Sequence, residues 1–282
     1  MENLSELCAP GSTFSEEWLP AAPGVSLRII TFLPAQKRDT PDIVFVSGWI
    51  SKPIAWRDVL QEMTREFRVF YIETREKISS RIRGKVRFGV DSIGEDLVHV
   101  IPRLPIKPDR YILMGSSLGA TAILDAVAVL QPRPKALVLV APNAEFRVPR
   151  WGIWFIRPLP PHLYLIVKPF IKWYLRNFRL DVTTDYAQYQ KYANALDAAD
   201  PWKLKKAVLA LAKYRVWKKL GAVTCPVLIV AASKDKLHEP ENLKRMLALL
   251  PHASYIDLET NRGTHSKEVV DALRKFIREI TV

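Results

Sequence analysis

The sequence predicts an α/β protein built on a mainly parallel, doubly wound sheet, and three observations carry that expectation. Short apolar runs alternate with segments of helical periodicity along most of the 282 residues, the pattern of strands and their crossover helices. Several of the apolar runs are near-continuous, as strands covered on both faces require. The run ending at Gly115 passes through Ser116-Ser117-Leu118-Gly119 straight into a helical pattern, a Gly-x-Ser-x-Gly turn between a strand and a helix.

Taken in order, strands are expected over 26–33 and 42–46, the second being Asp42-Ile43-Val44-Phe45-Val46. A helix over 55–65 follows, from apolar residues at helical spacing such as Trp56, Val59, Leu60 and Met63. Strand 68–73 and helix 92–104 come next, then strand 110–115 and helix 117–130, then strand 136–141. The chain closes with strand 226–231, helix 240–249, strand 254–258 and helix 267–279.

One interval breaks this rhythm. Roughly 80 residues between Pro142 and Pro226 do not read as a single crossover helix, and a structureless loop of that length is improbable. Helical patterns over 164–177 and 202–220 are separated by joints at Pro158, Pro160 and Pro161. The organisation expected is a core of 1–144 and 222–282, interrupted by a helical cap over 145–221.

Composition narrows the function classes. With 49% hydrophobic and 25% charged residues, the chain is neither disordered nor a fibre or disulfide scaffold. Lys and Arg number 42 against 29 Asp and Glu, a net charge of +13, which suits an acidic partner: a nucleic acid, an anionic membrane surface or an anionic substrate. The interval 145–221 alone holds 15 Lys and Arg against five acids, and 5 of the 8 Trp. No helix-turn-helix, zinc-finger or RNA-binding signature accompanies this charge, so nucleic acid is not the expected partner. Cys8 and Cys225 form no metal or redox motif. Glu2, Glu6, Glu16 and Glu17 precede the first basic residue, Arg28, and the longest uncharged stretch, 111–124, has 14 residues. Neither a secretory signal nor a membrane span is expected, and the expected compartment is cytoplasmic.

The chemistry centres on Ser117. The flanking glycines permit a sharp turn that thrusts its hydroxyl out at a helix N-terminus, where the dipole and free N–H groups favour a developing anion. Such a serine needs a base, and the base a carboxylate to orient it. Asp235 falls just past the 226–231 strand, where ligands gather in open α/β sheets. His265 follows the 254–258 strand and immediately precedes the last helix. Of the other histidines, His99 falls in a helix, His252 in a connecting loop, His238 before the final strand, and His162 in the cap, where it would touch substrate. Glu145 is the reserve candidate for the orienting acid.

These residues resemble the α/β-hydrolase superfamily, in the form that carries a helical cap after the sixth strand. The resemblance covers about 25–282 and implies Ser117 as nucleophile, Asp235 as acid and His265 as base. It also implies an oxyanion hole from the backbone N–H groups of Leu118 and of Trp49 in Ser47-Gly48-Trp49. The family commonly has His-Gly where this chain has Ser47-Gly48. The function expected is serine-dependent cleavage of a small-molecule carboxylic ester, hydrophobic or lipid-like, with no metal or cofactor. Thioester, lactone or carbon–carbon bond cleavage uses similar machinery. The missing His beside Gly48 keeps open a non-catalytic relative that binds a membrane or partner through its cap. Trp151 and Trp154, with His162, are the expected substrate contacts. The cap interleaves aromatics with cations and has no acidic residue from Arg147 to Leu180, which suits peripheral contact with anionic lipid.

Overall fold

The apolar runs become strands because their alternate residues find a helical layer on each side. The computed structural model describes residues 3–36, 39–146, 150–180, 182–183, 185–235 and 240–281. Its strands are β1 (Thr13–Ala22), β2 (Val25–Leu33), β3 (Asp42–Val46), β4 (Val69–Ile72), β5 (Tyr111–Ser116), β6 (Ala136–Val140), β7 (Val227–Ala231) and β8 (Ala253–Asp257). They lie in the order β1-β2-β4-β3-β5-β6-β7-β8, with a two-residue strand, Arg81–Ile82, also paired to β2. β1 and β2 are antiparallel and β2 pairs antiparallel with β4. From β4 across to β8 every neighbour is parallel. All these parallel strands therefore end on one edge, where loops can converge.

The period of two along the strands sorts their side chains. Val44, Val46, Phe70, Ile72 and Leu113 pack on one face with α2 (Val90–Val100) and α3 (Leu118–Ala126). Ile43, Phe45, Val69, Tyr71, Ile112 and Met114 pack on the other with α1 (Arg57–Met63) and α9 (Lys267–Glu279).

Between β6 and β7 the chain makes α4 (Arg150–Ile156), α5 (Tyr164–Tyr174), α6 (Tyr186–Ala198) and α7 (Pro201–Leu211), and α8 (Pro240–Leu249) then leads to β8. The helix expected over 202–220 is two pieces, α7 and a 3-10 segment at Trp217–Ala222. The break is imposed from outside: Arg215 forms a β-bridge with Glu145, the Val216 N–H donates to Ala144 O at 2.9 Å, and Tyr214 Oη bonds Asp125. The elements that escaped sequence reading include β1, α4, α6 and the two-residue strand Arg81–Ile82. β1 is an edge strand whose residues are mostly exposed, so no apolar pattern announced it. α6 is polar along much of its length, and its N-terminus is capped by Asp185, which accepts from the Gln188 N–H at 2.9 Å. Among the described residues no helix is long and apolar enough to cross a membrane, and no group of three or more His, Cys, Asp and Glu is arranged to hold a metal ion.

Candidate active site

The parallel strands deliver the residues selected from the sequence to one edge of the sheet. After β5 the chain turns at Ser117 with φ 47° and ψ −112°, a conformation that costs a non-glycine residue roughly 1–3 kcal/mol. The turn is enforced by the close approach of strand and helix. A Cβ on Gly115 would lie 2.6 Å from Ile123 Cδ1 and 2.7 Å from the Ala120 nitrogen, and one on Gly119 would lie 2.1 Å from Val46 O. Ile50 and Ala141, also at positive φ, border the same cavity as Ser117, so backbone strain collects here. The Ser117 hydroxyl oxygen accepts from Asn143 Nδ2 at 3.0 Å.

His265 closes a 3-10 turn just before α9. Its ring stacks on the buried Trp56 indole, 4.1 Å between centroids and 29° between planes, which fixes the plane of the imidazole. Nδ1 lies 2.9 Å from the Asn261 carbonyl oxygen and Nε2 lies 3.2 Å from Lys191 Nζ. A carbonyl can only accept and an ammonium can only donate, so these partners assign the proton to Nδ1 and the lone pair to Nε2. That is the tautomer a general base requires.

Asp235 is buried near this ring and is held by two amides. Asn261 Nδ2 donates to its Oδ2 at 3.0 Å and Gln188 Nε2 donates to the same oxygen at 3.2 Å. Asn261 therefore stands between Asp235 and His265, one arm on the carboxylate and its backbone carbonyl on the imidazole. Glu145 is engaged with Arg215 at 2.7 Å and lies outside the cavity lining.

Trp49 follows β3 and lines the cavity with Gly48; among the described residues no hydrogen bond occupies its backbone N–H. Leu118 opens α3, so its N–H has no intrahelical partner. The loop that carries Trp49 is anchored from beneath. Lys77, buried and paired with Glu76 at 3.2 Å, donates to Gly48 O. A trans peptide directs its C=O and N–H to opposite sides, so pinning the Gly48 carbonyl aims the Trp49 N–H the other way. The loop after β4 is itself braced by a buried Arg75–Asp96 pair, at 2.6 Å and 2.7 Å. Burial pushes the Asp96 carboxyl up, against the pull of the Arg75 guanidinium. Lys203 of α7 reaches this loop too, donating to Lys77 O and Ser80 O at 2.7 Å each.

Ser117 and His265 border one cavity of about 430 Å³, within the usual range for small-molecule sites. Helices from the inserted segment supply most of its wall. Along α5, Tyr164, Val167 and Ile171 face inward, followed by Leu175, the spacing of one helical face. Ile156 of α4 also lines it. Trp154, two residues earlier and so about 200° away around the helix, is 74% exposed and points outward, a correction to its expected substrate contact. His162 is corrected likewise: the turn that begins at Pro160 leaves it exposed, while its neighbours Pro161 and Leu163 border the cavity. The Trp151 side chain, like His238, lies outside the described residues. Sequence reading missed Trp56, Asn143, Asn261, Gln188, Lys191 and Lys77. The only signal for any of them is the Gln188/Lys191 spacing of three, which sets both on one face of a helix.

A sequence profile of the alpha/beta hydrolase family matches residues 43–271. A pimeloyl-(acyl-carrier protein) methyl ester esterase from Aliivibrio salmonicida is 21% identical over 249 residues, spanning 84% of this chain and 92% of that protein. Among solved structures, an esterase from Thermogutta terrifontis superposes with a TM-score of 0.73 at 19% identity, covering 96% of this chain and 100% of that one. An enol-lactonase from Burkholderia xenovorans LB400 gives 0.71 at 17% identity, covering 94% and 99%. At these identities the structural likeness speaks for the fold.

Proposed function

This chain belongs to the alpha/beta hydrolase family, and from that premise we propose that it is a serine hydrolase of carboxylic esters with a hydrophobic, lipid-like acyl part. The observation that carries the reading is the pairing of a strained, outward-turned Ser117 with a base-competent His265 on the wall of one apolar cavity. Ser117 Oγ attacks the ester carbonyl while Nε2 takes its proton, and the tetrahedral oxyanion falls to the N–H groups of Trp49 and Leu118. The proton on Nε2 then goes to the leaving alcohol, and water repeats the sequence on the acyl-enzyme. Asp235 supplies the negative charge that favours the imidazolium, with Asn261 as its intermediary. A fluorophosphonate probe tests the reading: covalent labelling at Ser117, seen by peptide mass, is expected, and an unlabelled protein would leave a non-catalytic binding module.

The oxyanion hole here depends on a carbonyl pinned by Lys77 rather than on a neighbouring histidine. Lys77→Met frees the Gly48–Trp49 peptide to rotate. It is expected to lower kcat for a p-nitrophenyl ester by about 10- to 100-fold, approaching the loss of one oxyanion donor, with KM little changed. A fall in KM-dependent binding with kcat intact would assign Lys77 to mere support of the fold.

The inserted helices act as a cap that meets anionic lipid. α5 is apolar on both sides: Tyr164, Val167 and Ile171 face the cavity, while Ile166 and Phe170 are 73% and 61% exposed. Phe170 stacks on Trp173 at 5.4 Å between centroids, and Trp173 meets Phe178 at 5.4 Å. A helix apolar all round is normally covered, and basic residues of the segment suit an anionic surface. Co-sedimentation with vesicles is expected to be stronger with anionic than with neutral lipid. The double variant Ile166→Glu/Phe170→Glu should abolish it; unaltered sedimentation of that variant would remove α5 from the lipid contact.

A further inference from the structure

We propose that Lys191 recognises a carboxylate on the alcohol half of the substrate, so that the preferred substrates are fatty-acyl esters of short hydroxy acids. This rests on the serine ester hydrolase reading and names its substrate class.

Lys191 lies on α6, one helical turn past Gln188, and enters the cavity wall beside the catalytic imidazole. Its Nζ donates to Asn261 Oδ1 and stands 3.2 Å from His265 Nε2. Among the described residues no carboxylate is in ion-pair contact with it; the Asn261 amide that it touches also donates to Asp235. Burial pulls this ammonium down to about 8, while Asp235 and Asp185 work in the opposite direction, so it is still mostly charged near neutral pH. A half-buried cation whose hydrogen-bond contacts are neutral gains from an anionic partner that enters the cavity.

The described lining of the cavity carries two lysines and no acidic residue. The second, Lys205, spends its hydrogens on Arg157 O and Leu159 O, at 2.9 Å and 2.5 Å. Among the described residues Lys191 alone presents a cation of the cavity wall next to the reacting atoms. The remaining wall is largely aliphatic and aromatic, which fits an acyl chain. The occupant that satisfies both features is apolar at one end and anionic near the scissile bond.

Position decides which half of the ester carries the charge. His265 Nε2 gives its proton to the leaving oxygen, which must therefore come within about 3 Å of it. Lys191 Nζ is equally close to Nε2, so it neighbours the leaving oxygen and not the distal acyl tail. A carboxylate on the carbon next to that oxygen, as in a 2-hydroxy acid, falls within its reach. Lys191 also donates into the lone pair that must receive the Ser117 proton, and a carboxylate that engages the ammonium frees that lone pair. The same contact thus selects the substrate and releases the base. Ser117 Oγ bonds to the acyl carbon as the bond from that carbon to the hydroxy-acid oxygen breaks. The proton passes from Oγ through Nε2 to that oxygen, leaving acyl-Ser117 and a free hydroxy acid.

The test compares O-octanoyl-lactate with O-octanoyl-lactamide, equal in shape and different in charge, by chromatographic release of octanoic acid. The wild-type protein is expected to favour the lactate ester by about 10- to 100-fold in kcat/KM, the range of a hydrogen bond to a charged group. Lys191→Met should lose that factor on the lactate ester and gain on the lactamide ester, while Lys191→Arg should keep the preference. Equal rates on the two esters by a wild-type protein whose Ser117 is labelled by fluorophosphonate would overturn the carboxylate proposal and leave the ester hydrolase standing. An equal fall on both esters in Lys191→Met would overturn it as well, making Lys191 a support of the fold. No turnover and no labelling of Ser117 would overturn both readings together.

Discussion

Ser117→Ala is expected to lower kcat for a p-nitrophenyl ester by about a million-fold, to the level left by binding and the oxyanion N–H groups alone. The magnitude follows from the chemistry. In the proposed mechanism every other group at the site acts on the serine oxygen: Nε2 removes its proton, Trp49 and Leu118 stabilise what its attack creates, and Asp235 supports the base. Without that oxygen their contributions have nothing to act upon, which is why such groups fail together and not additively. Alanine keeps the Cβ, so the strained turn between Gly115 and Gly119 is retained and the fold should be unaffected. The variant must melt within a few degrees of wild type for the comparison to hold. A variant retaining even about a tenth of wild-type activity, against an expected loss of this size, would remove Ser117 from the nucleophile's role.

The second large effect is Asp235→Asn. Asparagine preserves shape and some hydrogen bonding but removes the charge that favours the imidazolium, so kcat should fall by about 10³- to 10⁴-fold with KM little altered. The structure gives this experiment a particular edge. The Nδ1 proton of His265 goes to the Asn261 carbonyl at 2.9 Å, and the Asp235 carboxylate sits behind the Asn261 amide at 3.0 Å. If the carbonyl alone oriented the ring, losing the charge would cost less than about tenfold, and the role proposed for Asp235 would fall. The amide oxygen of the new residue has two lone pairs and can still accept from both Asn261 and Gln188, as the single Asp235 oxygen does, so the kinetic loss reports the charge. Because Asp235 holds the Lys191 ammonium up, the variant should also move that group further below about 8.

The parts of the site legible in the sequence are those tied to local geometry. Gly115 and Gly119 flank Ser117 at a spacing that only a sharp strand–helix turn explains, and Asp235 and His265 follow apolar runs that had to be strands. The alternation of strands and helices then placed all three on one edge. Trp154 and His162 could not be sorted in the same way. Both sit in an aromatic-rich segment, and which face of a short helix or turn looks inward depends on what it packs against. The break after Leu211 was hidden for a similar reason, since Arg215 and Val216 are held by Glu145 and Ala144 across the fold.

The balance of charge shows the same division. The sequence concentrated its positive charge in the interval between β6 and β7, but a count of lysines does not distinguish their surroundings. Lys168 and Lys172 meet Asp197 at 3.0 Å and 2.5 Å near the surface, Lys203 braces the loop after β4, and Lys191 enters the cavity beside His265. By itself the sequence determined the alternation of strands and helices and the serine turn, because periodicity and backbone sterics act over a few neighbouring residues. Only the tertiary structure decided which side chains border the cavity, that Asn261 touches both Asp235 and His265, and which cation stands beside the His265 ring. Those outcomes depend on contacts between residues far apart in the chain, such as Lys77 with Gly48 and Lys191 with His265, for which spacing along the sequence carries no signal.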